Sequence, residues 1–200
     1  EEKRRRLGPE VGRIFTIGMG PEETSMYARN ILLDYKPGEI VMTAEAETIF
    51  QKRTNGREFS PLTYCLPGGV PRATLLSEAF KIVQTSGLTL VIHELDGFPR
   101  QIYTDGRTLP KKIEFPSWLG YSVGRWEENT FVVDTVGFND KSWLDGVGHP
   151  HSEEMHITER YRRRDVGHLD VETTIEDLKF YNRPFSFKVT HLLEVDSDIF

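Results

Sequence analysis

From Phe80 onward the chain alternates apolar and polar side chains in short runs, separated by Gly, Pro, Asp and Asn. A period of two places successive side chains on opposite faces and marks strands with one buried side. Eight runs carry the pattern: "AFKIVQ", "LTLVIHE", "RQIYT", "GYSVGRW", "TFVVDTV", "MHITERYRR", "LDVETTIE" and "FSFKVTHLL". Tight turn signals join several of them, "TSG" at Thr85 to Gly87, "EEN" at Glu127 to Asn129 and "DVGH" at Asp165 to His168. Such spacing favours an antiparallel meander over alternating strand and helix units. A meander of eight strands most economically closes into a lipocalin-like barrel or curls into a half-barrel, so the expected fold is mainly β.

The chain before Phe80 has a different texture. Residues 1 to 40 are weakly patterned and offer at most one short helix, around Glu22 to Leu33. "MTAEAETIFQKR" then supplies good helix formers behind Thr43, a suitable N-cap, and stops at "TNG". This short N-terminal helix is expected to act as a plug or lid. The organisation expected is an arm over residues 1–40, weakly structured or partner-binding, followed by one barrel domain over residues 41–200.

Alternation also predicts the interior. Met155, Ile157, Glu159 and Tyr161 share one face of the sixth run, with His156, Thr158, Arg160 and Arg162 on the other. Leu169, Val171, Thr173 and Ile175 form the apolar face of the seventh, and Phe185, Phe187, Val189 and His191 line up in the eighth. If these faces point inward, Glu159 and His191 are drawn into the lumen. A buried carboxylate is costly unless paired, hydrogen-bonded or protonated, and Arg125 or Arg107 would be its structural partner. For Asp134, in "FVVDTVGF", either face is defensible.

Composition sets outer bounds. Two hundred residues with 38% hydrophobic content support one well-buried core. A net charge of −6 argues against a general nucleic-acid binder, which needs a basic face for phosphate contacts. The basic runs "KRRR" and "RYRRR" are those of a solvated terminus and a charged strand end. No window is long and apolar enough for a transmembrane segment. Cys65 is the only cysteine, which excludes an internal disulfide, a cysteine zinc cluster and a CxxC pair within this chain.

Chemistry gathers in "GHPHSEEMH", which holds His149, His151 and His156, three of the six histidines. The residue before proline is pushed toward extended geometry, so His149 and His151 could project to one side about 6–7 Å apart. The histidine-x-histidine is similar to the cupin metal motif, but the acid follows His151 too early and no second motif follows. Acid/base chemistry needs less: His151 titrates near neutrality and could exchange protons if Asp145 or Glu159 orients it. His151 and Ser152 are adjacent and point apart on an extended chain, and no nucleophile-elbow sequence is present. The bland alternative is a set of polar loop residues at a barrel rim.

The runs "CLPGGVPR", "KIVQTSG", "RQIYTDGRTLP", "PSWLGYSVGRWEENTFVVDTVGFND", "SWLDGVGHPHSEEMHITERYRRRD" and "TTIEDLKFYNRP" resemble a large, uncharacterised family of usually exported bacterial proteins common in Acidobacteria. The resemblance covers Thr43 to Phe200 and brings no reaction with it. It implies a periplasmic or extracellular location, with a signal peptide removed. It also marks His151, Ser152 and Glu153, Glu159 and Arg160, and the Asp105-Gly106-Arg107 turn as family positions, and leaves His149 and His156 variable. Members tend to continue past the position of Phe200 into a segment with a cysteine that could pair with Cys65.

The expectation is therefore an exported barrel whose mouth holds a small-molecule site. His151, Glu159 and Asp145 are the candidate catalytic residues, and Arg107, Trp143, Arg160 and Asp105 the candidate substrate-binding ones. No metal is assigned, and the sequence names no cofactor. Catalysis in this reading is that of a lyase, isomerase or hydrolase without a redox cofactor. Non-catalytic ligand binding is the second class. A structural subunit of a larger envelope complex, with a protein partner held through residues 1–40 or the edge strands, is the third.

Overall fold

The computed structural model describes residues 14–17, 22–76, 78–95 and 97–193. Nine strands form one sheet in sequential order: β1 (Ile14–Ile17), β2 (Phe80–Thr85), β3 (Leu88–His93), β4 (Arg100–Tyr103), β5 (Tyr121–Glu127), β6 (Thr130–Val136), β7 (His156–Arg163), β8 (His168–Glu176) and β9 (Phe185–Leu192). β2 to β9 are the eight alternating runs. Helices α1 (Glu22–Arg29), α2 (Ala44–Thr54) and α3 (Arg72–Leu75) precede β2. The Thr43 hydroxyl accepts a hydrogen bond from Ala46 N at the start of α2, satisfying one of the amides a helix leaves free there.

The sheet is mixed, where an antiparallel meander was expected. Seven of its neighbouring pairs are antiparallel, but β4 and β5 run parallel through Ile102↔Ser122 and Tyr103↔Val123. Hairpin turns reverse a chain within a few residues, whereas residues 104–120 are long enough to carry the chain back across the sheet before β5 begins. The β5–β6 turn is tight, with Glu128 at φ 51.

Curling brings the two halves of the sheet face to face. The Phe80 ring of β2 meets the His191 ring of β9 edge-on at 5.0 Å, yet the ladder is linear from β1 to β9, so the sheet is a half-barrel. Ile157, Ile175, Phe185, Phe187 and Val189 fill its deep end. Tyr27 of α1 stacks on Phe187 at 5.3 Å, and Ile31 is fully buried beside it. The Tyr35 hydroxyl donates to Ser186 O and accepts from Ser186 N, both at 2.8 Å, covering part of the β9 edge.

The boundary expected at residue 40 therefore does not mark the edge of the core. Ile14–Ile17 adds a strand on β2, and Tyr27 and Ile31 belong to the apolar cluster. The basic run Lys3 to Arg6 lies outside the described residues. Cys65 is exposed, and among the described residues no helix is long and apolar enough to cross a membrane.

One ion pair crosses the interior. Arg100 of β4 donates through Nε to Ser122 Oγ (3.2 Å, β5) and through Nη2 to Thr135 Oγ1 (2.8 Å, β6) and Glu159 Oε2 (β7). Tyr161 donates to the other carboxylate oxygen at 2.8 Å. Both charged side chains are buried, at 1% and 0% exposure. The partner of Glu159 is thus neither Arg125 nor Arg107. Ser122 is inward on β5, so the odd position Arg125 faces out, where it binds Asp134 and Glu127. Asp134 is likewise on the outer face, accepting from Thr158 at 2.8 Å.

Removing one member of this pair strands the other without a counter-charge. Glu159→Ala is expected to cost about 3–5 kcal/mol in urea unfolding, while the apolar double replacement Arg100→Met/Glu159→Leu recovers most of that loss.

Candidate functional site

Two polar regions hold the chemistry, and they differ in how completely they are satisfied. The first is the lumen. At the end of the half-barrel away from α1, a cavity of about 580 Å³ opens between the sheet's two halves. Its walls are Ile82, Val91, Ile102, Phe131, Tyr161 and Leu169, with Gln84 and Thr89 among them. Trp126, Phe131 and Tyr161 form an aromatic ladder down one side, with ring centroids 5.2 and 6.3 Å apart. Gly124 makes this possible: a Cβ there would lie 2.5 Å from the Phe131 ring and 2.8 Å from Ile102. The rim carries Arg162, Arg164 and His168 against Glu128.

A polar belt lies one layer below these walls. Inward residues on a strand are two apart, so His93 sits under Val91, Arg100 under Ile102, Glu159 under Tyr161, and His191 under Leu193. Burial holds the His93 imidazole down to about 3, helped by the nearby Arg100 charge and His191, and holds His191 down to about 4. Burial also works against the Arg100 charge, but Glu159 and Tyr161 outweigh it and its pKa is raised. Burial and the Glu159 carboxylate keep the Tyr161 phenol protonated, its pKa well above the ordinary value. Among the described residues, both His93 ring nitrogens, His191 Nε2 and Arg100 Nη1 are buried without a hydrogen-bond partner.

The second region is the loop between β6 and β7. Asp145 is fully buried and accepts from Ile31 N (2.8 Å), Gly148 N (2.9 Å) and His149 N (3.1 Å), and its Oδ2 is paired with His149 Nδ1. The loop amides of Gly146 and Val147 donate to Ala28 O and Arg29 O, so this loop caps the C-terminal end of α1. His149 stacks on Phe50 of α2 at 4.7 Å. Trp143 lies between Arg53 and Arg72, whose guanidinium carbons are 5.2 and 5.9 Å from its ring, within cation–π range.

His151 is fully buried in the same loop, its Nε2 2.6 Å from Ser142 Oγ and its Nδ1 3.1 Å from Ser152 O. The backbone oxygen can only accept, so Nδ1 carries the proton and Ser142 donates to Nε2. Burial depresses the imidazole to about 4. Gly69, at φ +79, packs over this pair: a Cβ there would meet Ser142 Oγ at 2.4 Å. Ser152 is held in turn by Asp177, which accepts from its amide (2.6 Å) and its hydroxyl (2.8 Å). A serine and a histidine are within hydrogen-bond reach, but the pair is sealed against substrate.

The sequence-predicted site residues are thus dispersed. Asp145, Trp143 and His151 share the loop region, while Glu159 belongs to the belt in the lumen. Asp105 and Arg107 pair with each other at 2.6 Å in an exposed turn, where Arg107 also donates to Tyr121 and lies 3.8 Å over the Tyr103 ring. That turn fastens the crossover loop to the parallel β4–β5 junction. Arg160 is on the outer face, donating to Glu127 at 3.0 Å. His149 and His151 have different partners, and among the described residues no three His, Cys, Asp or Glu side chains are grouped so as to hold a metal ion.

Sequence reading missed Arg100, His93, Ser142 and Asp177. The first two were within reach of it, because alternation in "RQIY" puts Arg100 on the face of Ile102, and in "LTLVIH" puts His93 on the face of Val91. Ser142 and Asp177 lie in aperiodic loops, which carry no such signal. No family model, curated protein or solved structure matches this chain.

Two outcomes are expected. Asp145→Ala leaves several buried donors bare, so it should cost about 3 kcal/mol or more in unfolding and speed amide exchange at Ile31. The second concerns pH. His93, His151 and His191 are neutral when folded, at about 3, 4 and 4, but titrate near 6.5 when unfolded. Below pH 6.5 the unfolded chain binds more protons, so stability falls with pH until the folded values near 4 are reached. The melting temperature should therefore drop between pH 7 and pH 4, and His191→Phe should make that slope shallower.

Proposed function

We propose that this protein is an exported, lipocalin-like half-barrel that holds a small, largely apolar molecule in the mouth of its lumen. The cavity of about 580 Å³ carries this reading, because it is concave, walled in its depth by aliphatic and aromatic side chains and bordered by polar ones, Arg162, Arg163, Arg164 and His168 with Glu128, as ligand pockets are. Export rests on the resemblance of the "CLPGGVPR" to "TTIEDLKFYNRP" motifs, not on the geometry.

Binding is favoured over proton-transfer catalysis by the place of His151. It is fully buried, its hydrogen bonds go to Ser142 and Ser152, and it does not line the cavity. A general base must lie within reach of the proton it removes. Glu159 lies closer to the lumen, but both its oxygens are engaged, by Arg100 and Tyr161.

The neutral probe N-phenyl-1-naphthylamine tests the reading. Saturable binding at one equivalent, with energy transfer from tryptophan, is expected. Filling the cavity with Ile82→Phe/Leu169→Phe should weaken it at least about tenfold, or about 1.4 kcal/mol, while the protein remains folded by far-UV circular dichroism. Binding that ignores the double variant, or no saturable binding by the folded protein, would overturn the assignment.

A further inference from the structure

We infer that the belt beneath the cavity is a head-group site for an uncharged acceptor oxygen, that of a ketone, ester or amide, carried on the apolar body that fills the cavity. The inference rests on the lumen being the ligand site and adds the class of molecule it selects.

The first support is position. Val91, Ile102, Tyr161 and Leu193 line the cavity, and the next inward residue on each strand is His93, Arg100, Glu159 or His191. With a rise of about 3.4 Å per residue, the belt lies about 7 Å deeper, the length of a short polar head group. The belt residues do not themselves line the cavity; Leu169, a half-buried wall residue, stands opposite His191 in the β8–β9 ladder and is the side chain that a head group displaces to reach the belt.

The second support is the set of polar atoms left over. His93, Arg100 and His191 are 4%, 1% and 2% exposed, yet both nitrogens of His93, Nη1 of Arg100 and Nε2 of His191 lack partners among the described residues. The Arg100 guanidinium also interacts with the Tyr161 hydroxyl, which uses part of its donor capacity, so the surplus lies mainly in the imidazole N–H groups, with Arg100 Nη1 beside them. Buried donors without acceptors cost about 1–3 kcal/mol each. A ligand that brings an oxygen removes that cost, and one that brings only hydrocarbon does not.

Charge then selects among oxygen-bearing heads. The titratable groups facing the belt are Arg100, Glu159, Tyr161, His93 and His191. Arg100 is matched by Glu159, Tyr161 keeps its proton, and both imidazoles are neutral. The belt is thus electrically balanced. A carboxylate would arrive beside Glu159 without a free counter-charge, and burying an unpaired anion is costly. A cation would find neither Glu159 oxygen free. A carbonyl group satisfies the donors and leaves the charge unchanged.

Competition against N-phenyl-1-naphthylamine at pH 7.5 separates the alternatives, using 2-undecanone, 1-undecene and undecanoate. The ketone should displace the probe at least about tenfold more tightly than either of the others. In His93→Leu/His191→Leu, which leaves only Arg100 as a donor, its advantage over 1-undecene should shrink at least about threefold, whereas the outer-face control Arg160→Ala keeps it. Should the double variant fail to fold, the wild type still answers: the imidazole resonances of His93 and His191 should shift with 2-undecanone and not with 1-undecene. Equal affinity for ketone and alkene, preference for undecanoate, or a ketone preference undiminished by loss of both imidazoles would overturn the head-group site while leaving the cavity reading standing. Failure of the probe itself to bind would remove both.

Discussion

A single guanidinium crosses half the sheet. Arg100 starts on β4, touches Ser122 on β5 and Thr135 on β6, and ends on Glu159 of β7, all inside the lumen. The crossing spans the one parallel junction, β4–β5, where the ladder is short and the chain cannot rely on a hairpin for register. In net free energy a buried ion pair contributes little, because desolvation offsets most of the attraction. Its geometric consequence is larger: one fork with fixed donor directions reaches three strands only if they curve toward each other. The same strap divides the interior, with Ile157, Ile175 and Phe187 packed below it and the open cavity above.

How much of this was legible follows from periodicity. Strand alternation gave the eight segments to within about two residues and the inward faces of β7, β8 and β9, including buried Glu159 and His191. It could not give the partner of Glu159, because an inward residue on one strand can reach several others, and only the curl decides which. Alternation does put Arg100 on the face of Ile102, but it opens a strand of four residues behind the turn-like "GFP", so only two alternating positions carry that signal. The parallel pairing of β4 and β5 has no local signature. The core residues Tyr27 and Ile31 were obscured for another reason, since α1 is short and its neighbours weakly patterned.

The candidate site was less legible than the fold, and the motif positions show why. Asp105 with Arg107, Asp145 with His149, and His151 with Ser142 and Ser152 are all close polar contacts of the kind that catalysis uses. In this structure each is closed on itself. Asp145 is consumed by three backbone amides and an imidazole, and it holds α1 to the β6–β7 loop. A residue type in a motif shows that a polar contact is required at that place; whether the contact is with substrate or with the chain depends on which lone pairs and protons remain free, and only coordinates count them.

That count separates the lumen belt from the His151 pair, although the loop region also holds Trp143 Nε1 and Arg72 Nε buried without a hydrogen-bond partner among the described residues. The His151 pair uses both of its ring nitrogens on the chain, whereas the lumen belt leaves four nitrogen atoms in His93, His191 and Arg100 unused at nearly full burial. A fold gains nothing from burying donors it does not satisfy, since hydrocarbon of the same shape would be more stable at those positions. Phenylalanine or leucine would fit the aromatic surroundings that Phe80 provides to His93 and His191. Imidazoles standing where hydrocarbon would serve the fold better are the physical ground for the proposed acceptor in the lumen, and the charge balance struck by Arg100 and Glu159 is the ground for proposing that it is uncharged.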